Sequence, residues 1–187
     1  MTGDDGLAEL NHARARPVRI VAGVVGALLL GVIALLTFSR GGDAVQVSPV
    51  VGELVPELRG RTLAGDAFDI DDYRDRWVVV NLFATWCVPC RIEHPELVAF
   101  DEEHAPHGDA QLVSVVFGDD DETVRQFFAE RGGTWPVLGE EYSSVVIDFG
   151  ATGVPETFVV APGGIVVAHT RGGVTRDGLN AIITASQ

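Results

Sequence analysis

Lysine is absent from this chain of 187 residues, every one of its thirteen basic side chains being Arg, and cysteine occurs only twice, at Cys87 and Cys90. Two cysteines so close together exclude a miniature scaffold stapled by disulfides, because so short a ring removes little entropy from the unfolded chain. Their use is chemical. Positive charge is also scarce: thirteen basic residues against twenty-seven acidic ones give a formal charge of −14. Nucleic acid, which needs a basic face, is therefore excluded as a partner. Internal repeats, low-complexity tracts and Asn-x-Ser/Thr sites are all missing. What remains is an apolar share of 47% and a charged share of 21%, normal for a chain that buries a core. The length suits one domain of ordinary size with an extension.

The extension lies at the N-terminus. Nineteen uncharged residues run from Ile20 to Phe38, and as a helix they match the hydrocarbon thickness of a bilayer, roughly 30 Å. Arg14, Arg16 and Arg19 precede them and Arg40 follows. The positive-inside rule then predicts a cytoplasmic tail at 1–19, a single-pass transmembrane anchor at 20–38, and an extracytoplasmic remainder in the cell membrane's outer compartment. The apolar run is longer than a signal-peptide core and lacks an Ala-x-Ala-like cleavage site, which favours a retained anchor over a cleaved signal or a soluble core helix. Residues 39–50 contain a Gly pair and Ser-Pro without helical or strand period, and read as a linker. The domain is then 51–187. Residues 41–187 carry nine Arg against twenty-four acids, a net charge of −15, so the acidity belongs to the folded part.

Within the domain, Leu58 to Thr62 and Ala67 to Ile70 flank a Gly-Asp turn and predict a hairpin, followed by a helical turn at Asp71 to Asp75. Trp77 to Ala84 is a near-continuous apolar run, the pattern of a strand buried on both faces. From Cys87 to His104, apolar residues at Val88, Ile92, Leu97, Val98 and Phe100 among charges predict a helix. Gln111 to Phe117 predicts a strand. The acids from Asp119 to Glu122 suit the N-terminus of a helix that ends at Gly132-Gly133, rather than a calcium loop, which needs alternating oxygens and a Gly turn. Pro136 to Leu138 predicts a short strand, Tyr142 to Phe149 a short helix, Thr157 to Ala161 and Ile165 to Thr170 a second hairpin, and Leu179 to Ala185 a closing helix. The order is a βαβ unit followed by an antiparallel hairpin and a last helix, an α/β domain.

Trp86-Cys87-Val88-Pro89-Cys90 directly follows the predicted central strand and opens the next helix. A thiol at a helix N-terminus has its thiolate stabilised by the dipole and the free amides, which makes Cys87 the expected nucleophile. Cys90, one turn along, is placed to resolve a mixed disulfide. The segment FATWCVPCR resembles the active-site segment of thioredoxin-fold oxidoreductases, and Gly153-Val154-Pro155-Glu156-Thr157-Phe158 resembles their second signature. The resemblance implies a thioredoxin fold, a central mixed β-sheet flanked by helices, here with an N-terminal hairpin extension. It also implies a cis peptide bond before Pro155, a proline loop facing the cysteine pair, and a backbone at Val154 offered to an extended substrate.

Together with the anchor, Arg91-Ile92-Glu93-His94 and the second signature are similar to the membrane-tethered thiol-disulfide interchange proteins of cytochrome c biogenesis. Asn81 stands where thioredoxin has a buried, proton-handling Asp. Glu93 and Glu156 match acids of the cytochrome c group, and each is placed to tune the thiol pair or exchange its proton. The resemblance implies catalytic roles for Cys87, Cys90, Pro155 and Glu93, and substrate contacts for Trp86, Val88, Pro89, Val154 and Glu156. Trp86 is expected at an exposed rim, Asn81 as a buried polar group bonded to backbone, and His94 and His169 as structural or surface residues.

Cys87, Cys90, His104 and His107 approach zinc-finger spacing, but Pro106 breaks the helix that would present the histidines and their separation is short. Neither a metal nor another cofactor is expected. The implied function is a membrane-anchored extracytoplasmic thiol-disulfide oxidoreductase acting on protein disulfides, with apocytochrome c as substrate and a transmembrane electron donor restoring the dithiol. A disulfide-forming oxidase uses the same atoms in reverse. A copper chaperone or scaffold is the alternative from a different class, since soft thiolates suit Cu(I).

Overall fold

A computed structural model of the protein describes residues 48–187, together with Gly23 and residues 25–31. Gly23 and residues 25–31 are helical and fall inside the expected anchor. The rest of the 20–38 span, the 1–19 tail and linker residues 39–47 lie outside the described residues. Among the described residues, no helix is long and apolar enough to cross a membrane.

The expected hairpin forms from β1 (Arg59–Arg61) and β2 (Ala67–Asp69), and a 3₁₀ turn over Ile70–Tyr73 follows it. Next come β3 (Trp77–Phe83), α1 (Val88–His104), β4 (Ala110–Val116), α2 (Asp121–Arg131) and β5 (Val137–Leu138). A second 3₁₀ turn at Glu140–Tyr142 leads to α3 (Val145–Asp148). The chain closes with β6 (Glu156–Val160), β7 (Val166–Arg171) and α4 (Arg176–Ala185). One five-stranded sheet has the order β5-β4-β3-β6-β7. β3 runs parallel to β4 and β4 to β5, while β6 is antiparallel to both β3 and β7.

Every residue of β3 is buried, as its unbroken apolar run requires of a central strand covered on both faces. Val79 and Phe83 point to the layer of α1, α2 and α4, where they meet Leu97, Phe100, Val124, Leu179 and Ile183. Val78, Val80 and Leu82 point the other way, toward Leu58, Phe68, Val146 and Phe149. That alternation is the period of two that any strand imposes. It sets Asn81 on the helix-bearing face with Val79 and Phe83.

Helix ends follow their caps. The Asp120 carboxylate accepts the N–H groups of Glu122 and Thr123 at 3.1 and 3.0 Å, which accounts for the acidic run before α2 as capping. The Thr175 hydroxyl accepts the Gly178 N–H at 3.1 Å and starts α4 three residues before the expected Leu179. Residues 48–50, read as linker, belong to the folded unit: Ser48 and Val50 are buried, and the Gly52 N–H donates to the Val166 carbonyl at 2.8 Å. Their Ser-Pro and lack of period hid a segment that adds Val50 to the core and leads into residues 52–55, which bond to the start of β7 and the turn before it.

Candidate active site

Cys87 is the N-cap residue of α1, directly beyond the end of β3, and is joined to Cys90 by a disulfide. The Cys90 N–H donates to Cys87 Sγ at 3.2 Å. Pro89 in the first turn costs no hydrogen bond, since the first amides of a helix have no partner within it. Both sulfur-bearing residues are buried, while Trp86, Val88 and Ile92 are 59, 63 and 71% exposed. Val88, expected among the substrate contacts, is exposed, and so is Ile92, although both belong to the apolar pattern that predicted the helix. The buried side is Cys90, Glu93, His94, Leu97 and Phe100, a stripe in which a carboxylate and an imidazole take places that hydrophobicity alone would not assign. Trp86 is the exposed rim residue expected of it, and it is pinned: its indole Nε1–H donates to the Gly118 carbonyl at 2.8 Å. Beside it, the Thr85 N–H and hydroxyl both donate to Asp119 Oδ2, at 2.6 and 2.7 Å.

Beneath the cysteine turn lies a buried polar chain. The Asn81 amide Nδ2 donates to Glu93 Oε1 at 2.9 Å and to Thr157 Oγ1 at 3.1 Å, and the Val174 N–H donates to Glu93 Oε2 at 3.0 Å. Asn81, expected to bond backbone, instead bonds two side chains, because β3 and β6 pair in the register that sets it opposite Thr157. Glu93 is 2% exposed. Burial pushes its carboxyl up to about 7, and the two donors offset that only in part. Gly173 completes the contact: a Cβ there would lie 3.8 Å from Glu93 Oε2 and 3.9 Å from the Pro89 carbonyl. The loop before α4 therefore touches both the glutamate and the cysteine turn.

The Val154–Pro155 peptide bond is cis, as the resemblance implied. Val154 packs on the cluster that contains Cys87 and Cys90, which brings the two sequence signatures together. Glu156, expected among substrate contacts, is buried with both oxygens occupied. Oε1 accepts the Thr152 N–H at 2.8 Å and the Thr152 hydroxyl at 2.9 Å; Oε2 lies 2.5 Å from His169 Nε2 and 3.8 Å from Arg171 Nε. Burial pushes this carboxyl up, but the Thr152 donors and His169 outweigh it and hold it below the usual carboxylate range. Burial holds His169 below the ordinary imidazole range despite its carboxylate neighbour, and its ring stacks on Phe158 with centroids 4.1 Å apart. His94, also buried, sits among Phe83, Phe127, Phe128 and Trp135, with Nε2 2.9 Å from the Gly132 carbonyl. Both histidines are structural.

Thr152, Thr157, Arg171 and Val174 escaped the sequence reading. Thr157 had a signal, its place in the second signature. The others are supplied by register and loop path. Of the near zinc-finger set, His104 is engaged by Asp109 and by Asn180 Oδ1 at 2.8 Å.

Comparison with known proteins agrees with this geometry. Residues 51–169 match the AhpC/TSA family. The chain is 31% identical over 164 residues to the thiol:disulfide interchange protein HelX of Rhodobacter capsulatus, covering 86% of this chain and 87% of that one. It is 30% identical over 145 residues to the thiol:disulfide interchange protein DsbE of Vibrio cholerae, covering 74% and 76%. A crystal structure of a thioredoxin-family thiol:disulfide interchange protein from Chlorobium tepidum superposes with a TM-score of 0.64 at 26% identity, over 71% of this chain and 94% of that one. A disulfide capping the helix after the central strand, a cis peptide bond before Pro155 with Val154 packed on the cluster that holds both cysteines, and these relatives converge: the chain belongs to the AhpC/TSA family, has the thioredoxin fold, and is a thiol-disulfide oxidoreductase of the HelX and DsbE type.

Proposed function

We propose that this oxidoreductase is anchored in the cell membrane by residues 20–38, works outside the cytoplasm, and reduces the disulfide of apocytochrome c before haem attachment. The observation that carries the redox cycle is the Cys87–Cys90 disulfide at the start of α1, within the cluster on which Val154 packs. In the dithiol form the Cys87 thiolate attacks one sulfur of the substrate disulfide, and the other substrate sulfur leaves as a thiolate that takes up a proton. Cys90 then loses its proton and attacks Cys87, forming the intramolecular disulfide and releasing the second substrate thiol. A transmembrane dithiol donor returns two electrons to the pair.

Glu93 is the group suited to handle the Cys90 proton. With a carboxyl near 7, it exchanges protons at working pH. It also reaches Asn81, the position where the resemblance would place a proton-handling Asp, so the carboxylate comes from α1 instead of β3. Trp86, Val88 and Pro89 are exposed around the disulfide and form the rim for substrate, with the Val154 backbone and Pro155 opposite. Glu156 contributes by holding Thr152 and thereby the loop that carries Val154.

Replacing Cys90 by Ser in the full chain tests the cycle. A reductant then accumulates mixed disulfides between Cys87 and its substrate, whereas a copper carrier loses metal affinity and traps nothing. The midpoint potential decides the direction. A value near or below about −270 mV supports a reductant, and one near about −120 mV makes the protein a disulfide-forming oxidase.

A further inference from the structure

The two oxygens of the buried Glu93 carboxyl are not equivalent. Oε2 accepts the Val174 N–H at 3.0 Å, and Oε1 accepts from Asn81 Nδ2 at 2.9 Å. A backbone N–H only donates, so Oε2 has to stay an acceptor whether the carboxyl is ionised or protonated. A proton taken up by Glu93 therefore sits on Oε1, where it meets Asn81. With the amide as it stands, that O–H would face a second donor in a site where Asn81 and Thr157 are wholly buried, and neither hydrogen would have an acceptor.

Asn81 holds the means of resolving this. Its Nδ2 donates to Glu93 Oε1 and to Thr157 Oγ1, at 2.9 and 3.1 Å, while the buried Oδ1 has no hydrogen-bond partner among the described residues. The oxygen and nitrogen ends of an amide have nearly the same shape, so a half-turn about the last side-chain bond exchanges them without displacing neighbours. Oδ1 then faces Glu93 Oε1 and Thr157 Oγ1. A protonated Oε1 donates to it, and so does the Thr157 hydroxyl, which serves equally as donor or acceptor. Each orientation makes two bonds to the same two residues and leaves one amide end unpartnered, so the charge on Glu93 decides between them.

The other groups around Glu93 do not reverse in this way. The loop before α4 supplies the Val174 N–H and Gly173. Along α1 the titratable neighbours are Cys90, held in the disulfide, and His94, whose Nε2 faces the Gly132 carbonyl. No charged side chain bonds to Glu93 among the described residues. We infer that Asn81 is the positioning residue for proton exchange at Glu93: its amide donates to the ionised carboxylate, turns over when Oε1 takes a proton, and accepts from the resulting acid, with the Thr157 hydroxyl reversing in step. The inference rests on the reading that Glu93 exchanges the Cys90 proton. That proton enters and leaves on Oε1, and no other covalent bond changes. An ionised Asp at position 81 could only accept, so the Asn there has a task of its own.

The test uses the full chain in detergent, labelled for NMR at the Asn amides, Glu carboxyls and Thr methyls. Only Asn11, Asn81 and Asn180 contribute amide signals of this kind, and Asn81→Leu identifies the one required. At high pH the Asn81 amide hydrogens should show cross-relaxation with the Thr157 methyl. As pH falls through about 7, that contact should weaken in step with the Glu93 carboxyl signal, and in Glu93→Gln the step should be absent. Asn81→Leu, which neither donates nor accepts, should lower kcat about ten-fold with KM unchanged, because residue 81 is buried. An Asn81–Thr157 contact that keeps its full strength while Glu93 titrates, or an unchanged kcat in Asn81→Leu, overturns the inference. A Glu93 carboxyl signal that does not move over the range overturns the proton-exchange reading itself, so the two failures are distinct.

Discussion

Among the described residues two glutamates are buried, one on α1 and one on β6, and they have opposite fates. Glu93, on α1, is 2% exposed and meets two neutral donors, the Asn81 amide and the Val174 N–H. Glu156, on β6, is 3% exposed and meets two donors from Thr152, the His169 ring and the Arg171 guanidinium. Burial pushes both carboxyls up. It prevails at Glu93, which rises to about 7, and loses at Glu156, which stays below the ordinary range. Burial alone therefore does not decide protonation; the number and charge of the donors do. The division also suits the work. A carboxyl near neutrality exchanges protons, while a carboxylate held ionised is a fixed peg for the loop that carries the cis-proline.

Breaking the ionised side should have the largest effect. Glu156→Ala removes the acceptor for Thr152 and the carboxylate that faces His169 and Arg171. Thermal and denaturant unfolding at pH 7 should register a loss of about 4 kcal/mol. The folded-state carboxyl lies below its unfolded value, so the stabilisation is present above the unfolded pKa and fades as pH falls through the folded one. The penalty of Glu156→Ala should accordingly shrink in acid.

On the other side, the sign reverses. Glu93 has a folded pKa above its ordinary 4.5, so the native state holds the proton longer than the unfolded state does. Its stabilisation is complete below 4.5 and is lost as pH rises through about 7, an expected fall on the order of 3 kcal/mol between pH 4.5 and pH 8. Glu93→Gln should flatten that fall, measured as unfolding free energy against pH, and should flatten the pH dependence of disulfide exchange over the same range. The variant can remain folded, because the buried Asn81 Oδ1 has no hydrogen-bond partner among the described residues and can accept from the new amide. The smallest change sharpens the comparison: His169→Gln keeps a donor toward Glu156, should cost about 1 kcal/mol in thermal unfolding, and should leave the Glu93 titration where it was.

Much of this architecture was legible in the chain. The seven-residue β3 read as buried because its apolar run is unbroken, and both hairpins read from their Gly-containing turns. The cysteine pair read as the opening of a helix because it follows that strand. Misreadings came where one-dimensional pattern and three-dimensional surroundings part. Val88 and Ile92 belong to the apolar spacing from which the helix was read, yet both are exposed. Glu93 read as a group that tunes the thiol pair and His94 as a structural or surface residue, but only the fold shows that both fill the core side of α1. Asn81 bonds side chains that lie 12 and 76 residues away along the chain.

By itself, then, the sequence determined the order of strands and helices, the place of the redox pair at a helix start, and the presence of a second signature around Pro155, because these depend on local periodicity, turns and caps. Tertiary structure alone decided which glutamate stays ionised and which apolar residues remain in water. Protonation and pairing follow from the donors within a few ångströms of a group, and strand register and loop path bring those donors together from distant parts of the chain.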